Sequence, residues 1–205
     1  DVNDNAGRGI AEEIGDAALY APLDTRSEDE WQAVVKQVVD TYGSLDILVN
    51  AAGVSGRRPD GTSAPNLEEQ DLEDWNRVMD VNSTGIFLGM KTAIPEMRKV
   101  GGGSIINIAS LSGVTALSRV YTYAATKAAV INLTQNLARE WAPQNVRVNA
   151  LSPGFFPAEQ NKKVLTPDRI ESIMRHTPAD RFGSPEELAG AILLMASPTA
   201  GSFLT

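Results

Sequence analysis

Three short apolar runs limit the folds open to this chain more than any other feature. Leu45 to Asn50 holds Ile47, Leu48 and Val49 in a row. Ser104 to Ile108 follows Gly101-Gly102-Gly103, and Val146 to Leu151 runs into Pro153-Gly154. A brief, unbroken apolar run between turn signals suits a strand buried on both faces. Helical patterns lie between the runs. Ser27-Glu28-Asp29-Glu30 reads as a capping box, with Ser27 the cap and Glu30 at the third helical position. Trp31, Val34, Val35, Val38 and Val39 continue it as a stripe, and Tyr42-Gly43 ends it. A further helix is expected from about Asp71 or Asp74, carrying Trp75, Val78 and Met79. Residues 81–98 continue it or form a second helix. A long one is expected from about Tyr123 to Trp141, and Ser184-Pro185-Glu186-Glu187 opens another that ends near Met195 or Ala196. Residues 54–70 read as a surface loop, and residues 154–182 as an irregular or short-helical lid.

Strands that alternate with helices imply right-handed βαβ units. The expected fold class is α/β: one Rossmann-like, doubly wound parallel sheet in three α/β/α layers, a single domain over residues 1–205. Composition agrees. Apolar residues make up 42% of the 205 and charged residues 21%, as in a globular core-forming protein. A net charge of −8 disfavours nucleic acid and anionic membrane as partners. No apolar run reaches the ~18 residues of a membrane helix, and no charged-then-apolar leader is visible. Cysteine is absent, which removes disulfides and thiol nucleophiles and is compatible with the cytoplasm. His176 is the only histidine, so no multi-histidine metal site can form, and no G-x-S-x-G elbow accompanies it. Proton chemistry is left to Tyr, Lys, Asp or Glu.

Ligands of such sheets bind beyond the carboxyl ends of the strands. Those places hold Asn50-Ala51-Ala52-Gly53, then Ser110, then Pro153-Gly154. After Ser110 comes Tyr123-Ala124-Ala125-Thr126-Lys127. Positions i and i+4 share a helix face, so phenol and ammonium can reach one pocket. A fixed cation beside a phenol favours the phenolate, which suits a general acid/base for a carbonyl/alcohol pair. Plainer readings exist. Tyr-x-x-x-Lys also arises on an amphipathic helix with a solvated lysine. Ser110 can simply open a turn, Asn82 can interrupt a helix, and His176 can be a polar lid residue. Gly101 to Gly103 opens a strand rather than a helix, so it reads as a turn and not a phosphate loop.

The chain resembles the short-chain dehydrogenase/reductase family over essentially its whole length. The resemblance is carried by Leu45 to Gly53, Val81-Asn82-Ser83-Thr84-Gly85, Ser104 to Ser110, Tyr123 to Lys127, and Arg147-Val148-Asn149 to Pro153-Gly154. It implies a nicotinamide-dependent oxidoreductase with Tyr123 as acid/base. Lys127 would hold the nicotinamide ribose and ease proton loss from the tyrosine. Ser110 would hydrogen-bond the substrate oxygen, and Asn82 would hold a water of a proton relay. It sets Asp1 at the end of the second strand, where a carboxylate takes ribose hydroxyls and repels a 2′-phosphate, favouring NAD over NADP. Asp24 and Thr25, after a third strand, would contact adenine. Asn50, Ala51 and Gly53 would line the adenine-ribose side, and Pro153 and Gly154 would also bind the cofactor. Ala51 stands where the family more often has Asn, and Ala158 where it often has Thr.

One departure is large. The family's Gly-rich turn belongs about 20 residues before the acidic residue, and residues 1–205 do not hold it. Ala6-Gly7-Arg8-Gly9 does not replace it, since it follows the acidic position and no strand. The expectation is a fragment lacking the first strand with its Gly-rich loop and the last strand, with weak NAD binding on its own. Residues 155–160, Arg175-His176-Thr177-Pro178 and Arg181-Phe182-Gly183 are similar to family members acting on sugar acids. Gln160, Asn161, Lys162, Lys163 and Arg175 suit a polyol and a carboxylate, or equally a solvated loop, as do Arg57 and Arg58. The family resemblance also implies a homotetramer or homodimer through the helices of Trp75 to Met97 and Tyr123 to Trp141. Two rival functions remain: a non-catalytic nicotinamide-nucleotide-binding protein, and a nucleotide-sugar epimerase, for whose substrate domain the tail after Gly154 leaves little room.

Overall fold

The computed structural model describes residues 1–56, 66–116, 120–157 and 165–205. The three apolar runs become β1 (Ile47–Asn50), β2 (Gly103–Ile108) and β3 (Val146–Leu151). They form one parallel sheet in the order β1-β2-β3. Asn50 lies opposite Asn107, and Ile108 opposite Leu151, so the three carboxyl ends emerge along one edge.

The helices follow their patterns closely. They are α1 (Asp4–Ile14), α2 (Glu28–Tyr42), α3 (Leu72–Met79), α4 (Gly85–Lys99), α5 (Tyr121–Trp141), α6 (Pro167–Arg175) and α7 (Ala189–Ala196). Ser27 caps α2 by accepting from the Glu30 N–H, and Gly43, at φ 86°, ends it in the left-handed region. The expected box is only half built. The Glu30 carboxylate reaches past Ser27 to accept from the Asp24 N–H at 2.6 Å. At Ser184 the box closes, with Glu187 accepting from the Ser184 N–H, and a 3₁₀ turn (Pro185–Leu188) leads into α7. The glycine run before β2 is a turn, as its sequence implies. Gly101 and Gly102 sit at φ 92° and 142°, and a Cβ on Gly102 would lie 2.3 Å from the Asn145 carbonyl.

Strand alternation sorts the helices onto two faces. Leu48, Ile105 and Asn107 point to one face, where Trp31 and Val35 of α2, Met90, Ala93, Ile94 and Met97 of α4, and Val130 of α5 complete the core. Ser104 points to the other face, where its hydroxyl donates to the Met195 carbonyl of α7 at 2.8 Å. Arg147, opposite Ser104, is buried there and donates to the Ser197 and Leu204 carbonyls. The result is three layers. Ile47 and Val49 lie on the α7 face but remain 45% and 41% exposed, because no helix among the described residues covers that part of the sheet.

Two expectations change. Asp1 and residues 18–23 form no strand. Asp1 does make a pair of hydrogen bonds that straddle Pro22, to the Ala21 carbonyl and from the Leu23 N–H, as in parallel pairing. With no third chain segment beside them among the described residues, the pairing stays one residue long. The second change is α1, which the sequence reading missed. Asn3 caps it by accepting from the Ala6 N–H, and it buries no residue; Gly7 and Gly9 weaken its helical signal.

Candidate active site

The helix entering the core from β1 is not regular. Between α3 and α4 the backbone widens into a π-helical turn, Asp80–Thr84, centred on Asn82. Such turns re-aim side chains within a helix and recur at functional sites. Asn82 is fully buried. Its Oδ1 accepts from the Val54 N–H at 2.8 Å, and its Nδ2 donates to the Val54 carbonyl at 2.9 Å and to Thr126 Oγ1 at 3.2 Å. One side chain thus clamps the loop after β1 onto α5. The helix interruption and the polar clamp coexist at this residue.

Thr126 passes the contact on by donating to the Tyr123 carbonyl at 2.7 Å. Tyr123 lies in the first turn of α5, and the Lys127 ammonium is 5.6 Å from its ring centre. Lys127 is buried and donates to the Ile108 carbonyl at 2.6 Å. Burial pulls its pKa down from 10.5 to about 8. Gly53 sits above this group: a Cβ there would lie 3.3 Å from Asn82 Oδ1 and 3.8 Å from Lys127 Nζ. Ser110, two residues past Ile108, caps a 3₁₀ turn (Leu111–Gly113), accepting from the Ser112 N–H while its hydroxyl meets that of Ser112 at 2.9 Å. That turn packs on Lys127, since a Cβ on Gly113 would lie 2.8 Å from the Lys127 backbone carbon. Asn82, Tyr123, Lys127 and the Ser110 turn therefore meet at the carboxyl edge of the sheet. Such a cluster can hold an oxygen atom and exchange a proton with it.

A cleft of about 500 Å³ opens beside it, lined by Asp1, Asp24, Thr25, Asn50, Ala51 and Gly53 among others. Six of the residues expected to bind cofactor thus share one wall. Two glycines of α4 shape it. A Cβ on Gly85 would lie 2.7 Å from Thr25 Oγ1, and one on Gly89 2.7 Å from Asn50 Oδ1 and 2.9 Å from Trp31. Gly89 was not singled out from the sequence; its spacing of four from Gly85 is the signal that marks it. One Asp1 oxygen accepts from the Asn3 N–H at 2.8 Å, and the other has no partner among the described residues. Asp24 is committed elsewhere. The Arg26 guanidinium forks onto its carboxylate, holding that carboxyl below the usual range. The small-walled, carboxylate-tipped cleft suits an extended dinucleotide: the Asp1 carboxylate can accept from ribose hydroxyls, and no bulky side chain fills the floor at Ala51 to Gly53.

Pro153 and Gly154 do not line this cleft. The Pro153 carbonyl accepts from the Leu111 N–H at 3.0 Å, and Gly154 lines a separate pocket of about 820 Å³ with Leu111, Phe155, Phe156, Ile173 and His176. His176 follows α6, with Nδ1 2.8 Å from the Ser172 carbonyl. Arg175 lies outside the pocket, paired with Glu171. Arg57, Arg58, Ala158, Gln160, Asn161, Lys162 and Lys163 fall outside the described residues. No cluster of His, Asp or Glu able to hold a metal occurs among the described residues, and none of their helices is long and apolar enough to cross a membrane.

Residues 1–205 match the family model described as enoyl-(acyl carrier protein) reductase. A 3-alpha-(or 20-beta)-hydroxysteroid dehydrogenase of Mycobacterium tuberculosis (strain ATCC 25618 / H37Rv) is 35% identical over 197 residues, covering 96% of this chain and 71% of that protein. Among solved structures, a 7 alpha-hydroxysteroid dehydrogenase complexed with NADH and 7-oxo glycochenodeoxycholic acid superposes with a TM-score of 0.89 at 31% identity, covering 100% of this chain and 78% of that one. A gluconate 5-dehydrogenase from Burkholderia cenocepacia J2315, in complex with NADP and tartrate, superposes at 0.87 and 32% identity, covering 100% and 79%.

Proposed function

The chain belongs to the short-chain dehydrogenase/reductase family, and from that membership we infer how its own residues divide the work. It is an oxidoreductase that moves a hydride between a nicotinamide cofactor and a carbonyl or secondary alcohol. The bound nicotinamide supplies or accepts the hydride. We assign the proton to Tyr123, whose hydroxyl gives it to the substrate oxygen in reduction and takes it back in oxidation. Ser110 donates a hydrogen bond to the same oxygen. Lys127 holds a positive charge near the phenol, and Asn82 fixes both the loop at Val54 and the helix at Thr126. The observation that carries this reading is the junction of Asn82, Tyr123 and Lys127 through Thr126 and Gly53. A sensor that only binds the cofactor has no need of it.

For the cofactor we favour NAD. Asp1 leaves one carboxylate oxygen open in the cleft, where it attracts ribose hydroxyls and repels a 2′-phosphate. Spectrophotometric kcat/KM with NAD and NADP, for the protein and for Asp1→Ala, tests it. A strong NAD preference that the substitution removes supports the assignment, while an NADP preference contradicts it. A sugar acid is one reading of the substrate, supported by the likeness to gluconate 5-dehydrogenase. A homotetramer or homodimer through the outer faces of α4 and α5 is supported by Phe87, 46% exposed on α4. Work in the cytoplasm is compatible with the absence of cysteine.

A further inference from the structure

The pocket beyond Ser110 has a chemistry of its own. Leu111, Phe155, Phe156, Ile173 and Pro178 give it an apolar part. Phe156 is fixed there because Gly183 has no side chain, and a Cβ on Gly183 would overlap the ring at 2.1 Å. The Gly183 N–H also donates to the Phe155 carbonyl at 3.0 Å, tying the two walls together. The opposite wall is one face of α6. Arg169, Ile173 and His176 stand at i, i+4 and i+7, so a cation, an aliphatic side chain and an imidazole line up on the pocket.

The charges in this wall are unequal. Arg181 forks onto Glu187 with two contacts of 2.7 Å, and so cancels it. Arg175 pairs with Glu171 outside the pocket. Arg169 is half-buried, and its guanidinium has no hydrogen bond or ion pair among the described residues, although the residue lines the pocket. A guanidinium without a protein partner on the wall of a pocket is a ready partner for a carboxylate, which it can take with two parallel bonds. His176 has Nδ1 committed to the Ser172 carbonyl, which leaves Nε2 for a second polar contact.

We propose that Arg169 binds a carboxylate of the substrate while Phe155, Phe156 and Ile173 hold its hydrocarbon frame. The substrate class is then a hydroxy or oxo acid with an alicyclic body, rather than a polyhydroxylated acid. Leu111 lines the pocket and follows Ser110 directly, which sets the pocket next to the oxygen-binding group. Most polar groups on the described walls are already engaged: Thr115 and Thr177 donate to the Leu111 and Ile173 carbonyls, His176 Nδ1 meets the Ser172 carbonyl, and Arg181 forks onto Glu187, whereas a polyol needs a partner for each hydroxyl it buries. The inference rests on the dehydrogenase reading above.

The test is NAD-linked oxidation of three probes: 4-hydroxycyclohexanecarboxylate, cyclohexanol and gluconate. The ring acid is expected to exceed both others in kcat/KM. In Arg169→Gln the ratio of ring acid to cyclohexanol should fall by about ten- to a hundredfold, the usual effect of losing a bond between charged groups. Arg169→Lys should lose part of it, and Arg175→Gln, outside the pocket, should leave the ratio unchanged. Equal use of cyclohexanol and the ring acid, or a ratio that survives Arg169→Gln, overturns the inference and leaves the dehydrogenase reading standing. Gluconate outrunning the ring acid overturns the alicyclic frame. No alcohol oxidised with either cofactor defeats the dehydrogenase reading, and the inference with it.

Discussion

The Lys127 ammonium donates to the Ile108 carbonyl at 2.6 Å, joining α5 to the carboxyl end of the middle strand. This bond sets where the whole proton-transfer group stands. Lys127 is buried, and no carboxylate among the described residues is paired with it. The fold therefore keeps a desolvated cation beside Tyr123, at a cost in stability.

That cost can be measured. Burial lowers the lysine pKa from 10.5 to about 8. Between those values the unfolded chain binds more protons at this group than the folded chain, so its contribution to stability rises with pH across that window. Below pH 8 the penalty is felt in full. Lys127→Met should therefore raise the melting temperature at pH 7 by about 2–4 °C while removing turnover. It should also flatten the rise in stability between pH 8 and 10.5. A melting temperature that falls sharply would show that the lysine is a net structural support.

The glycines of α4 give a second prediction. Alanine ordinarily improves a helix by about 1 kcal/mol over glycine. At Gly89 the added methyl would press on Asn50 and Trp31, each within 3 Å. Overpacking of this kind costs about 1–3 kcal/mol, so Gly89→Ala should be destabilising in urea titration. An increase in stability would mean that α4 shifts freely and that the close approach is unimportant.

Asn107 gives a third. It is fully buried in mid-strand, accepts from Asn50 Nδ2 at 2.8 Å and donates to Thr134 Oγ1 at 2.9 Å. Thr134 donates in turn to the Val130 carbonyl. Asn107→Leu should cost about 2–3 kcal/mol, because it strands the Asn50 amide and inserts a bulkier group. Denaturant midpoints of Asn107→Leu and Thr134→Val would check it, with Thr134→Val the milder change. Equal midpoints for both variants and the parent protein would deny the chain any stabilising role.

These examples mark what the sequence discloses. Strands 47–50, 103–108 and 146–151 were legible because unbroken apolar runs admit few alternatives. The helices were legible because capping residues such as Ser27 and Asp71 mark their starts. The π-helical turn at Asn82 was not, since one residue of extra backbone leaves no periodic trace. Helix α1 was missed because Gly7 and Gly9 break up its helical propensity. The buried Asn50–Asn107–Thr134 chain left a signal that went unread: a polar residue inside an apolar strand must find a partner. The Arg26 guanidinium on Asp24 and the second pocket lined by Gly154 are features visible only in three dimensions.

The most direct test of the account is Tyr123→Phe, which removes one oxygen and keeps the ring. Turnover of a secondary alcohol with NAD should fall by at least about a hundredfold. Cofactor affinity, read by calorimetry on the same preparation, should stay within a few-fold of the parent. Turnover that survives the substitution would contradict the assignment of the proton to Tyr123.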